Sequence, residues 1–501
     1  MDNWIVKKKF NLLLIVYTVF LLLFSWFVSD PIRAAKIDRY VLYSIDDIFH
    51  YCYVRTASIN PLALLNPSAK PLYTLIGAIF YNILPFGFLS LRIMNSLFSV
   101  ATLLVLGKLM KKMGIEELYI FLAIMMTALF PIYFLASISA LTEIMFTFVL
   151  ILAIYLFYCK RWLASVLFVS LLPLIRQEGL LFLFIWAFFV IKNGKIRHLI
   201  FIFIPTILWV FLNRLIWNRP VIYSLLHQAY FIIAKINQTP PSQTVGSFFS
   251  ATSFTIILYQ PLFILSVIGW WRTLQDRRYR LISACWGFYV FFLLSFFIGH
   301  IIIFKTVSRE LRYIVPFVPI MILYSVHPVK TVISSFGLTK KHIKALFFGL
   351  FGIILIWTLL NLRLLQMDVK VSEDALTPKN EKEVAEITFW LNDYLKKNLI
   401  NSIYVSGRFT TNKYIRRIWM NLDKDVRFYP TIDPFATEPK GEIKPLDIVN
   451  FDILRNSDIK GVFLIFNVSD NDWLGKQADW VLIKSFPDIP LNFYLTGKTT
   501  K

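Results

Sequence analysis

Acidic side chains are scarce in this chain, with 30 Asp and Glu against 52 Lys and Arg in 501 residues, so their placement carries information. The first cluster is Asp46-Asp47, in the run Ser44-Ile45-Asp46-Asp47-Ile48-Phe49-His50-Tyr51. A carboxylate beside a substrate hydroxyl can serve as its general base, and a second one can orient the attacking group. The second acid site is Glu143, in Ser139-Ala140-Leu141-Thr142-Glu143, at the entrance of an apolar run. A charge there is costly unless it faces a cavity or a partner. The cationic counterpart is Lys70, Arg176, Arg309 and Arg312, side chains suited to neutralising a phosphate-bearing lipid. His50, Tyr51 and Glu178 are further polar groups that a substrate can meet.

Each of these residues also has a plainer reading. Asp46-Asp47 at a helix start is an N-cap with a first-turn acid, worth about 1 kcal/mol. Glu143 is then a helix-start acid, and each Lys or Arg a headgroup-snorkelling side chain. His50 and Tyr51 are ordinary interface residues. The chemical reading rests on whether the elements that carry these groups bring them to one face.

Those elements are mostly membrane helices. A chain with 57% hydrophobic residues, 48 Phe and a mean hydropathy of +0.63 carries more apolar surface than a soluble core can hide. The net charge of +22 is spread in short basic clusters between apolar runs, a topology signal rather than a nucleic-acid stripe. The cysteines Cys52, Cys159 and Cys285 lie far apart and show no metal-ligand spacing.

Lys7-Lys8-Lys9 precedes an apolar run from Leu12 to Val28, which reads as an uncleaved anchor with a cytoplasmic N-terminus. Further runs extend from Leu91–Leu109 to Ile343–Leu365, with Leu118–Ser137, Leu141–Tyr158, Leu281–Phe304 and Tyr313–Val326 among them. Together they predict about 11 crossings of a bilayer that each needs roughly 20 apolar residues. The basic loops around Lys111-Lys112, Lys160-Arg161, Arg277-Arg278 and Lys340-Lys341 then all fall inside. Two segments fit this only in special roles. Leu163–Ile191 becomes a short hairpin broken by Pro173, with Arg176 and Glu178 below the outer surface, and Pro71–Leu89 a helix in the outer interface.

The last part of the chain changes character. Val384, Ile387, Leu391 and Leu395 recur at helical spacing within Glu381–Leu399, and β-like runs follow at Ser402–Ser406, Gly461–Phe466, Trp480–Ser485 and Leu491–Leu495. There is no Gly-rich phosphate loop, zinc spacing or internal repeat. The expected fold is therefore an all-α polytopic membrane domain over 1–365, with about 11 transmembrane helices and an interfacial helix in the first outer loop. A small extracytoplasmic α/β domain follows over 366–501.

With the motifs in order, the chain over about residues 1–330 resembles the GT-C superfamily of membrane glycosyltransferases, which includes protein O-mannosyltransferases and lipid A aminoarabinose transferases. Asp46-Asp47 is similar to the family's acidic pair in the first outer loop, and Lys70-Pro71-Leu72-Tyr73 to its Lys-Pro-Pro-Leu. Leu174-Ile175-Arg176-Gln177-Glu178-Gly179-Leu180 resembles Leu-Thr-Arg-Pro-Glu-Gly-Leu, and Arg312-Tyr313-Ile314-Val315-Pro316 resembles Arg-Tyr-Leu-Leu-Pro. The chain departs from the pattern at Gln177, in the single Pro after Lys70, and in lacking an Asp-x-Asp metal motif.

The resemblance implies an inverting hexosyl- or pentosyltransferase in the cytoplasmic membrane. Its donor would be a polyprenyl-phosphate sugar, and its acceptor a glycan, lipid or protein hydroxyl at the outer face. Asp46 would be the base. Lys70, Arg176 and Arg312, with Arg309 in reserve, would hold the phosphate, while Glu143 and Asp47 would orient the acceptor or bind a divalent cation. No other cofactor and no nucleic acid is implied. Competing readings are a transporter or flippase, a surface-polysaccharide polymerase or ligase, and a non-catalytic glycan-binding member. A transporter would favour repeated halves and midplane charges, neither of which is seen in this sequence.

Overall fold

The computed structural model describes residues 2–29, 45–59, 61–65, 70–84, 86–217, 253–291, 311–335 and 378–400, six strands between 402 and 496, and some single positions between 342 and 426. Arg309, the first-loop segment 30–44, the loop 218–252 and most of the Ile343–Leu365 run lie outside the described residues. The chain divides into two compact units, one of Met1–Ser25, Leu64–Gly77 and Leu91–Ser372, the other of Trp26–Ala63, Ala78–Ser90 and Glu373–Lys501.

The first unit is helical. Among the described residues, Phe88–Lys112, Ile196–Leu215 and Arg312–Ile333 are long and apolar enough to cross a membrane. On the Ile196–Leu215 helix, Ile200, Ile204, Ile207, Phe211 and Leu215 are all exposed, a surface suited to hydrocarbon rather than to water. Shorter apolar helices include Pro71–Ile83 (α3), Glu143–Tyr158 (α7), Trp162–Ile175 and Gly179–Lys192 (α10). Here α1 is Asp2–Ser29, α2 Ile45–Ile59, α4 Phe88–Lys112, α5 Glu117–Leu129 and α6 Pro131–Ser137.

The apolar run Leu118–Ser137, expected as one span, is two helices bent by 66°. Pro131 is the cause: it has no N–H to continue the ladder and sits instead in the first turn of α6. A side chain satisfies backbone that the break exposes. Tyr17 of α1 donates to the Ala128 carbonyl at 2.9 Å. With little water in a bilayer, such groups must be partnered from within.

The segment from Trp162 to Lys192 is a tight hairpin of α8 (Trp162–Ser170), α9 (Leu172–Ile175) and α10. Its turn requires glycine at 179, because a Cβ there would lie 2.3 Å from Leu172 C and 2.5 Å from Pro173 N. A hydrogen-bond chain fastens the hairpin to α7: Trp186 Nε1 donates to Ser165 Oγ (2.9 Å), which donates to Ala153 O (2.7 Å). Later in the chain, α11 is Leu199–Trp217, α12 Ser253–Thr273, α13 residues 280–291, and α14 Val318–Ser335, preceded by a 3-10 segment Leu311–Phe317. Helices α12 and α14 touch closely at Gly269, where a Cβ would meet Tyr324 O at 2.0 Å.

In the second unit, α15 (Pro378–Lys397) buries Val384, Ile387, Leu391 and Leu395, the four periodic positions read from the sequence. Six strands, β1 (Ser402–Val405), β2 (Arg427–Ile432), β3 (Val449–Asn450), β4 (Gly461–Phe466), β5 (Val481–Phe486) and β6 (Leu491–Thr496), form a sheet in the order β3-β2-β1-β4-β6-β5. Strands β1 to β4 pair in parallel, while β6 runs antiparallel to both β4 and β5. Strand β2 contains Pro430, which masks it in a sequence reading. Arg55 of α2 is buried in this unit and donates to Leu422 O (3.3 Å) and Val426 O (2.7 Å).

Candidate functional site

Thr142 ends a turn and Glu143 opens α7, with its side chain removed from solvent. Glu143 Oε1 accepts from Arg176 Nη1 at 2.5 Å, and Arg312 Nε lies 3.7 Å from the same oxygen. Arg176 also reaches Thr142 Oγ1 through Nη1 (3.2 Å) and Glu178 Oε1 through Nη2 (2.8 Å). The other oxygen of Glu143, Oε2, is buried and accepts no hydrogen bond among the described residues. The Arg176 and Arg312 guanidinium carbons lie 5.1 Å and 5.4 Å from the Tyr313 ring centroid, within cation–π range. Charges this deep are held only by mutual pairing, and removal of one partner from such a set typically costs about 3–5 kcal/mol.

The local backbone explains how these groups meet. Arg176 leaves α9 in an extended conformation (φ −152°, ψ 140°), and its carbonyl accepts from Gly179 N at 2.9 Å. This two-residue turn places Arg176 and Glu178 side by side, which the glycine at 179 alone permits. Arg312 and Tyr313 come from the 3-10 entry to α14, where Tyr289 donates to the Tyr313 carbonyl. Lys70 precedes α3 with a left-handed backbone (φ +51°), and its carbonyl accepts from Thr74 N at 3.0 Å.

Beside the ion cluster lies a narrow cleft of about 20 Å³, lined by aromatic rings that include Phe182, Phe288, Tyr289 and Tyr313, with Arg176 and Glu178 as its charged members. Burial opposes the charge of the Glu178 carboxyl. The charge and hydrogen bond of Arg176, with the charge of Lys70, nevertheless hold its pKa below the ordinary carboxylate range.

Of the residues expected from sequence, Glu143, Arg176, Glu178 and Arg312 form one cluster, and Lys70 adds its charge to it. Asp47, His50 and Tyr51 are buried on α2 in the second unit, and Tyr51 packs edge-on against Tyr81 and Phe88. Asp46 is the second residue of that helix. Arg309 lies outside the described residues. Thr142, Tyr289 and Tyr313 join the site without having been singled out as candidates. The adjacency of Tyr313 to Arg312 is the one signal that could have found it.

Glu143 Oε1 is already shared by two guanidinium groups, and among the described residues no three His, Cys, Asp or Glu gather as ligands.

No protein-family model matches the sequence, and no curated protein matches it significantly. Solved structures do match. ArnT from Cupriavidus metallidurans bound to undecaprenyl phosphate aligns over 97% of this chain and 98% of that one, with a TM-score of 0.57 and 12% identity. The apo state of the same ArnT aligns over 96% and 97%, with a TM-score of 0.51 and 13% identity. The chain thus has the fold of this ArnT.

Proposed function

We propose that this protein is a GT-C glycosyltransferase that moves a sugar from a polyprenyl-phosphate donor to an acceptor hydroxyl at the outer face of the cytoplasmic membrane. The observation that carries the reading is the buried cluster of Glu143, Arg176 and Arg312 in a chain with the ArnT fold. Membrane-level charges of this kind are costly and are kept for function. The undecaprenyl phosphate bound by the Cupriavidus ArnT supports a lipid phosphate as the shared ligand chemistry. Residues 1–365 form the catalytic domain and 366–501 an extracytoplasmic domain, with the N-terminus in the cytoplasm.

In this scheme Asp46 takes the acceptor proton, the freed oxygen attacks the anomeric carbon, and the bond from that carbon to the phosphate oxygen breaks with inversion. The departing lipid phosphate keeps the bonding electron pair. Lys70, Arg176, Arg309 and Arg312 stabilise its charge, an electrostatic contribution that grows as the charge develops. Arg176 already gives both terminal nitrogens to carboxylates, so it joins the phosphate by exchanging partners. Asp47 and Glu143 orient the acceptor, and His50, Tyr51 and Glu178 line the path of substrate. No step is routed through a metal ion.

The test is incubation of the purified protein with radiolabelled polyprenyl-phosphate hexoses and pentoses, scored for transfer or donor hydrolysis. Turnover of at least one donor, abolished by Asp46→Asn with membrane insertion intact, is expected. Absence of turnover across the panel overturns the reading, and an active Asp46→Asn variant overturns the assigned base.

A further inference from the structure

The link between α6 and α7 is an irregular stretch of backbone, and its carbonyls are held by side chains from two other helices. Asn95 of α4 donates through Nδ2 to Ser139 O (2.8 Å) and to Leu141 O (2.7 Å). Tyr73 of α3 donates to the carbonyl between them, Ala140 O, at 2.7 Å. Ser96, next to Asn95, donates to Ser137 O at 3.2 Å. The Tyr73 and Asn95 side chains are fully buried. Both acceptors near Asn95 Nδ2 are carbonyls, so the amide nitrogen rather than its oxygen must face them. The amide oxygen is buried and accepts nothing among the described residues, so the side chain is oriented entirely by the link it holds.

Two residues beyond Leu141 stands Glu143, and between them Thr142 Oγ1 already touches Arg176. The link therefore ends directly in the ion cluster. Tyr73 lies on the first turn of α3, which starts immediately after Lys70. One hydroxyl thus ties the helix that follows the lysine to the turn that carries the acid.

Resting on the proposed function, we infer that Tyr73 and Asn95 are positioning residues: by pinning three consecutive carbonyls, 139 to 141, they fix where Glu143 stands relative to Lys70 and Arg176. Simple solvation of the carbonyls would require only some donor at each. Pinning of consecutive groups from two different helices also sets their position, and small misplacements of a reacting constellation cost large rate factors.

The experiment uses the full-length protein with Tyr73→Phe, which removes only the hydroxyl, and Asn95→Leu, which keeps the branched heavy-atom shape while removing the amide. Steady-state transfer is measured per folded molecule, alongside deuterium exchange of the amides of 139–146. The expected result is kcat lower by about tenfold, donor KM within about twofold of wild type, and faster exchange in that segment. Wild-type kcat in both variants, or lost folded protein with unchanged turnover per folded molecule, overturns the inference. If the wild-type protein turns over no donor, the proposed function fails by itself. Exchange then decides the pinning, with faster exchange in Tyr73→Phe supporting it and an unchanged rate overturning it.

Discussion

The Arg312–Ile333 span carries ion pairs near both of its ends, and the two ends are built differently. At one end Arg312 and Arg176 share Glu143, with side chains 7%, 8% and 1% exposed. Near the other, Lys330 pairs with Glu116, and both side chains are more than half exposed. Lys111 with Glu117 and Arg278 with Asp276 are also exposed pairs of the same unit. The chemistry is the same and the solvent is not. Exposed pairs are screened and contribute about 0–1 kcal/mol, whereas a buried pair becomes very costly to break while adding little net stability over an apolar replacement. The buried end is thus the one whose charges stability alone does not explain.

That contrast can be broken most directly at Glu143. Glu143→Ala leaves two guanidinium groups buried without their shared carboxylate, and a loss of about 3–5 kcal/mol is expected in denaturation of the detergent-solubilised protein. Replacing the whole set, Glu143→Leu, Arg176→Met, Glu178→Leu and Arg312→Met, sharpens the point: with no charge of the cluster left without its partner, most of the stability should return while sugar transfer stays absent. Gly179→Ala comes next, at about 1–3 kcal/mol, since a Cβ has no room beside Leu172 and Pro173. Its sign of local damage is a weaker donor interaction in the transfer assay, from displacement of Arg176 and Glu178. At the exposed end, Lys330→Ala should cost less than about 1 kcal/mol, and 0.5 M salt should remove most of that difference.

The smallest effect expected is a pH dependence at Asp276. Its hydrogen bonds from Arg278 hold its pKa below the ordinary aspartate value. A carboxyl lowered in the folded state adds stability above its unfolded pKa of about 3.9, and that increment is lost as pH falls through the folded value. Asp276→Asn should therefore flatten a slight slope in acid denaturation between wild type and variant, and a slope unchanged by the substitution would remove the assignment.

Much of the cluster was legible in the sequence because charge is rare in apolar surroundings: Glu143, Arg176, Glu178 and Arg312 stand out against their neighbours and meet in the structure. Tyr73 and Asn95 were not legible as partners. A tyrosine near a lysine and an asparagine inside an apolar helix fit many environments, and only the fold shows which carbonyls they face. The bend between Leu129 and Pro131 was hidden for a related reason, since hydropathy averages over a proline that backbone geometry cannot ignore. In the tail, alternating apolar runs marked β1, β4, β5 and β6, while Pro430 and the two-residue length of β3 concealed the remaining strands.

The place of β6 in the sheet has a consequence for the order of events at the ribosome. It is the last of the described strands, yet it lies between β4 and β5 and supplies the pairing edge for both. Until residues 491–496 emerge, β5 has no neighbour among the described strands, and β4 lacks its partner on that side. Closure of this sheet therefore cannot precede the emergence of residues 491–496, however early the other strands are made.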